Sequence, residues 1–379
     1  MIPKSGAWMR SELFIAWMTI RSGGGTHSTA MVAYYLGVRT YMKIIVDAMG
    51  GDNAPEEIVK GALEAARERD ISVTLVGIGE AILRVIDSIG LKELPRGIEI
   101  VNASEVITME DNPATAVRVK RDSSLAVALR LLTDGRGDAL ISAGSTGALL
   151  SGATLIVKRV RGIRRAAMAP VIPNAAGGGF ILIDCGANSD CTPEYLLQFA
   201  FMGSYYAEDI LKIEKPRVGL LNNGTERTKG TQLHIESFEL LEKAGAAGNI
   251  NFIGNIEAPD ALKGGCDVLV TDGFTGNILL KCIEGTASFI MSEFKSVFKK
   301  NLITKISALL VKKHLYALRE KLNPDTIGGT ALLGISKPVL KAHGGSNAAA
   351  IRNAIFQAIK AVEADAAARL SDNIGRMKV

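Results

Sequence analysis

The sequence predicts an α/β protein: three layers, α/β/α, around a mainly parallel sheet. Three observations carry this. Apolar runs of four to six residues, rich in Ile, Leu and Val, recur along the chain, each followed by a Gly/Asp/Asn/Ser loop and then a helical pattern of ten or more residues. Such alternation is the grammar of a parallel sheet covered on both faces. The units differ in length and content, so they are not solenoid repeats. With 379 residues, 47% hydrophobic, the chain is long enough for one large α/β domain or two smaller ones.

Residues 1–41 read differently from the rest of the chain. They hold both tryptophans, a Gly-rich break at 23–25 and no long apolar run, and are expected to be an extension outside the main domain, 42–379. Met42 opens a strand, "KIIVD", that runs into "AMGGDNAP" and a helix. Asn53 with Glu56 has the spacing of a capping box, and Pro55 suits a first turn. Asp47 and Asp52 flank the glycines as candidate cleft acids, able to orient lysines or arginines but unfavourable to phosphate.

"NPATAVRVKRDSS" sets Arg118, Lys120 and Arg121 before another helix, with Asp122 or Ser123 as its cap. The next strand ends in "SAGSTG". There Gly144 and Gly147 permit close backbone approach, and Ser145 and Thr146 offer hydroxyls at a helix start, where an anion is favoured. A tight turn with a Ser/Thr cap has the same composition. Lys120 and Arg121 are the expected cationic partners of that loop.

"DCGANSDC" offers Cys185 and Cys191, but no local base accompanies either, and both read as structural thiols. "NNGTERTKG" supplies Asn222, Arg227 and Lys229 in a second strand-to-helix loop, and Asp272, a third candidate cleft acid, follows the strand "DVLVT". His343, in "HGGSN" before the last helix, is a candidate acid, base or oxyanion donor, with Ser346 or Asn347 as cap. His234 and His314 fall within helical patterns and read as structural.

Residues 287–323 interrupt the alternation. Ile290, Phe294, Phe298, Leu302, Ile306 and Leu310 recur at i+4 with lysines between them, which predicts two amphipathic helices forming a protruding hairpin that bends near Asn301. Lys299, Lys305, Leu309, Lys312 and Lys313 are its candidate membrane- or partner-binding residues.

The net charge of +5 is uneven: +3 in residues 1–41 and +6 in 287–323, leaving −4 for the rest. That distribution argues against a nucleic-acid binder. The four cysteines form no CxxC pair and there are four histidines, so no metal site is expected and a reduced, cytoplasmic protein is. The charge-poor stretches 139–157 and 166–183 carry Gly or Pro breaks and do not read as membrane spans.

These residues resemble a known family, the acyl-carrier-protein:phosphate acyltransferases of bacterial phospholipid synthesis. The resemblance rests on "VDAMGGDNAP", "MEDNPATAVRVKRDSSLAVAL", "ALISAGSTGALLSGA", "LLNNGTERTKG", "DVLVTDGFTGNILLK" and "HGGSNAAAI", in that order. It implies a homodimer with a fold like the isocitrate and isopropylmalate dehydrogenases. It implies transfer of a long acyl chain from acyl carrier protein to inorganic phosphate, without a cofactor. The acyl phosphate would feed a membrane glycerol-phosphate acyltransferase, and the enzyme would sit at the inner face of the plasma membrane. Positioning and oxyanion stabilisation suffice for this chemistry. Gly144–Gly147 with Lys120 or Arg121 are expected to hold phosphate, and Asn222, Lys229 and His343 to polarise the carbonyl or protonate the leaving thiolate. The alternatives are a short-chain phosphotransacylase using acyl-CoA, a metal- and NAD-dependent dehydrogenase with Asp47, Asp52 or Asp272 as ligands, and a peripheral membrane scaffold.

Overall fold

The computed structural model describes residues 41–322 and 328–377, so the expected extension lies almost wholly outside the described residues. From Lys43 onward the chain is one compact unit.

Two sheets organise it. The first has seven strands: β1 (Met42–Asp47), β2 (Ile71–Gly77), β3 (Ile98–Asn102), β4 (Ala139–Ser142), β5 (Ala167–Ala169), β11 (Thr330–Leu333) and β12 (Val339–Lys341). Their spatial order is β3-β2-β1-β4-β12-β11-β5. The pairs β3–β2, β1–β4 and β4–β12 are parallel, and β11 is antiparallel to both neighbours. The second sheet comprises β6 (Val171–Pro173), β7 (Gly179–Ile183), β8 (Arg217–Leu221), β9 (Asn251–Ile256) and β10 (Val268–Val270), in the order β6-β7-β10-β8-β9. All pairs there are parallel except β6 with β7.

The single sheet expected from the sequence is thus divided. The division falls at Pro170, which has no N–H for a ladder. β5 pairs with β11 in the first sheet and β6 with β7 in the second. The Pro170 carbonyl still accepts from Leu182 N (3.0 Å), and Met168 O from Cys185 N (3.1 Å), so one extended segment stitches the sheets together.

The helices cover these sheets as the apolar periodicity requires. α1 (Glu56–Glu68) buries Ile58, Val59, Ala62 and Leu63 on one face. α2 (Gly79–Ser88), α3 (Ala116–Val119), α4 (Ser124–Thr133) and α5 (Thr146–Gly152) come next, and α5 runs on as a π-helical turn to Val157. α6 (Pro193–Tyr206) is apolar nearly all round and buried from Leu196 to its end, the centre of the second core. α7 (Gln232–Ala246) and α8 (Ala258–Lys263) flank the second sheet.

α9 (Gly273–Lys299) and α10 (Leu302–Leu322) pack against each other. Between them Asn301 Oδ1 accepts from Thr304 N (2.9 Å) and Thr304 Oγ1 from Asn301 N (3.1 Å), a reciprocal cap that starts α10. α11 (Ala348–Glu363), capped by Asn347, and α12 (Ala366–Asp372) close the chain. Among the described residues no helix is long and apolar enough to cross a membrane.

Candidate active site

Register puts three polar side chains side by side at the carboxyl edge of the first sheet. Asp47 ends β1 opposite Ser142 of β4, which lies opposite Lys341 of β12. Ligand sites of open parallel sheets lie at this edge. All three are buried. Asp47 Oδ2 accepts from Ser142 Oγ (2.7 Å), and Oδ1 from Met49 N (3.3 Å). Lys341 Nζ donates to Ala143 O (3.2 Å) and also to Ala342 O.

Burial pushes the Asp47 carboxyl above its usual range, against the hydrogen bonds of Ser124, Ser142 and Met49 and the charge of Lys341. Burial likewise lowers the Lys341 ammonium to about 8, opposed by the charges of Asp52 and Asp47. The cleft acids therefore face a lysine, and that lysine changes charge near neutral pH.

The loop that opens the domain, 48–53, makes this edge by close backbone approach. A Cβ on Gly50 would lie 2.6 Å from Asp47 Oδ2 and 2.7 Å from Gly144 N. Gly51 has φ +110°, and a Cβ there would lie 3.0 Å from both the Ala143 side chain and the Gly344 carbonyl. Asp52 N donates to Gly344 O (2.8 Å). The Asn53–Glu56 capping box does not form. Asn53 Nδ2 donates instead to Gly345 O (3.1 Å) and Ser346 O (3.2 Å), and Glu56 pairs with Lys60 (2.6 Å). Holding the 343–346 loop displaced capping as the use of that amide.

A cavity of about 460 Å³ opens beside these loops. Thr146, Gly147, Lys341 and exposed His343 form its polar side. Leu150, Met168, Ile172 and Leu280 give it apolar wall. The second sheet contributes Cys185 and Gly186, and α9 contributes Asn277, Lys281 and Glu284. The loop after β7 is held by Asp184, whose buried carboxylate accepts from Met168 N (2.9 Å), Cys185 N (2.6 Å) and Asn188 N (2.7 Å). His343 Nδ1 accepts from Gly345 N (3.2 Å), which assigns the proton of the neutral ring to Nε2.

Of the catalytic and phosphate-binding residues expected from the sequence, Thr146, Gly147 and His343 meet in this cavity. Gly144 and Ser145 lie just behind it. The Gly144 N–H is already donated to Ser142 Oγ (3.1 Å), and Ser145 is buried as the α5 cap. Lys120 stands one layer away. Its Nζ is bound by Asp111 Oδ2 (2.6 Å) and Val106 O (2.9 Å), which holds the Asp111 carboxyl below its usual range. The same loop carries Pro113 against Gly147, so Lys120 supports the cavity wall without lining it. Arg121 is exposed, its Nε donating to Arg118 O (3.3 Å).

Asn222 and Lys229 belong to the second sheet's loop after β8. Asn222 Nδ2 donates to Lys229 O (3.0 Å), closing that loop on itself, and neither residue lines the cavity. Asp272 caps α9 and accepts from Thr275 with both oxygens, at 2.9 and 2.7 Å. Burial pushes the Cys185 and Cys191 thiols up to about 12, as suits structural thiols. Lys299, Lys305, Leu309, Lys312 and Lys313 are exposed on α9 and α10.

Sequence reasoning passed over Lys341. The available signal was a lysine breaking the apolar strand "VLKA" one residue from the His343 loop.

Comparison with known proteins bears on this geometry. Residues 42–369 match the family described as "Fatty acid synthesis protein". The chain is 48% identical over 322 residues to a phosphate acyltransferase of Oceanobacillus iheyensis, covering 85% of this chain and 94% of that one. It is 45% identical over 338 residues to a phosphate acyltransferase of Lactococcus lactis, covering 89% and 99%. Among solved structures it is similar to a phosphotransacetylase from Streptococcus pyogenes, with TM-score 0.58 and 19% identity over 90% of this chain and 99% of that one. That likeness is one of fold.

Proposed function

The chain belongs to the phosphate acyltransferase family, and from there we propose that it moves a long-chain acyl group from acyl carrier protein to inorganic phosphate in the cavity beside Lys341. The acyl phosphate formed would serve glycerol 3-phosphate acylation in phospholipid synthesis. One observation carries the assignment of the site. A buried lysine, two acids and an Nε2–H imidazole converge where the carboxyl ends of β1, β4 and β12 meet an apolar-walled cavity.

In this reading protonated Lys341 and the Thr146–Gly147 helix start hold phosphate. A phosphate oxygen attacks the thioester carbonyl carbon, His343 Nε2–H stabilises the developing oxyanion, and the C–S bond breaks to release the carrier's thiolate. Leu150, Met168, Ile172 and Leu280 receive the acyl chain. Asp47 and Asp52 keep Lys341 charged in a site that would otherwise discharge it. Lys120 acts through Asp111 and the Pro113 loop, as a positioning residue.

The acidic carrier protein would dock near Arg118–Arg121, where Arg118 and Arg121 lie exposed at the end of α3, a helix packed on the α5 that lines the cavity. Exposed Lys299, Lys305, Leu309, Lys312 and Lys313 would serve a peripheral contact with the membrane surface. A homodimer and a fold shared with the isocitrate and isopropylmalate dehydrogenases complete the proposal, and the two-sheet cleft supports the latter.

The test is hydroxylamine trapping of acyl phosphate from palmitoyl carrier protein, palmitoyl-CoA or acetyl-CoA with phosphate, with and without chelator. The proposal expects turnover with the palmitoyl donors, fastest on carrier protein and indifferent to chelator. Preference for acetyl-CoA would place the enzyme among the short-chain phosphotransacylases instead.

A further inference from the structure

Another cavity lies between α9 and α10, far along the chain from the loops of the candidate active site. It encloses about 390 Å³. Met291 and Phe298 of α9 and Ala308 and Leu315 of α10 form its floor, half-buried in the seam, while Phe294 and Leu309 stand at its edges. Lys295 and Lys299 border it from one helix and Lys305 and Lys312 from the other, and among the described residues no acidic side chain lines it.

This groove is distinct from the other apolar face of the same helix. At about 100° per residue, Leu302, Ile303, Ile306 and Leu310 fall within one arc roughly 100° wide. The α10 groove residues centre more than about 120° away from it. The outer stripe, 52–79% exposed, is a flat face suited to a bilayer. The groove is instead a narrow apolar strip with cations on both sides, a shape that matches one hydrocarbon chain carrying one anionic head.

We propose that the α9–α10 groove binds a single long-chain acyl phosphate, the product of the reaction proposed above, on which this inference rests. The charge match is with the phosphate head, and the apolar floor takes the chain. α9 supports the assignment by continuity: its first three turns line the catalytic cavity through Asn277, Leu280 and Lys281, and its last turns line the groove. The groove is thus a holding site on the same helix, for a product too apolar to be released into water.

The experiment uses the full chain and tetradecylphosphonate, a stable stand-in for acyl phosphate, below its micelle-forming concentration and without vesicles. Bound probe per chain is measured by calorimetry for wild type and for Ala308→Trp, which fills the groove and leaves the lysines and the outer stripe in place. Circular dichroism and thermal unfolding report folding. The inference expects one binding event to vanish in Ala308→Trp, and that same event in the wild type to weaken roughly tenfold when the probe loses two methylenes.

If Ala308→Trp does not fold, Lys295→Gln with Lys299→Gln, Lys305→Gln and Lys312→Gln decides, with at least a tenfold weakening expected. Unchanged stoichiometry and affinity in a folded groove variant overturns the inference. So does uptake by vesicles of anionic phospholipid with none of the monomeric probe. A wild-type enzyme that makes acyl phosphate but shows no Ala308-sensitive site overturns the groove alone. One that binds the probe there but makes no acyl phosphate overturns the reaction, and keeps the groove as a site for anionic amphiphiles.

Discussion

Two sets of lysines differ sharply in their surroundings. Lys341 is 8% exposed at the end of a central strand, beside Asp47 and Asp52. Lys295, Lys299, Lys305, Lys312 and Lys313 of α9 and α10 are exposed, on helices that also carry exposed apolar side chains. Burial makes the first a chemical device, because its charge is costly, sensitive to neighbours and titrates near neutrality. Exposure makes the others a surface, with individually small, salt-screened contributions that add.

The sharpest way to break the buried region is Gly50→Ala. The new methyl would overlap Asp47 Oδ2 and Gly144 N. Overpacking of this kind is expected to cost about 1–3 kcal/mol, and displacement of the Asp47–Ser142 pair should remove most activity. Denaturant unfolding and the trapping assay read both effects.

Next in size is the pH profile. If protonated Lys341 holds phosphate, kcat/KM for phosphate falls about tenfold per pH unit above about 8. The linked stability effect has a definite sign. The folded chain loses this proton near 8 and the unfolded chain near 10.5. The unfolded state binds more protons in between, so this group makes stability rise with pH across that window.

A smaller effect separates support from contact. Lys120→Met removes the 2.6 Å pair with Asp111, and should lower kcat by about tenfold through the Pro113–Gly147 contact, while leaving the alkaline limb of the profile in place. The weakest single effects belong to the exposed set. Lys305→Gln should weaken binding to anionic vesicles only about two- to fivefold, and salt should erase the difference.

Much of the buried architecture was readable because it is local. Strand–loop–helix units come from periodicity, and Ser123, Ser145 and Asn347 cap the helices they precede. Apolar residues at i+4 point to helices within 287–323, whereas the first helix begins earlier, at Gly273. What escaped is non-local. The division into two sheets turns on which partner each side of Pro170 finds. Asn53 looked like a cap because its true acceptors lie near residue 345. Lys341 looked like a strand-end lysine, since nothing nearby in sequence says that β4 and β1 bury it. Lys120 carried the right charge, but Asp111 had already claimed it.

The proposed function turns on Lys341 as the phosphate-binding cation of the cavity. The direct measurement is the phosphate dependence of acyl phosphate formation in Lys341→Met at pH 7, with palmitoyl carrier protein saturating. The expected result is a loss of at least about a hundredfold in kcat/KM for phosphate, no alkaline limb near pH 8, and an unchanged KM for the acyl donor. A Lys341→Met enzyme that saturates with phosphate as the wild type does would contradict it.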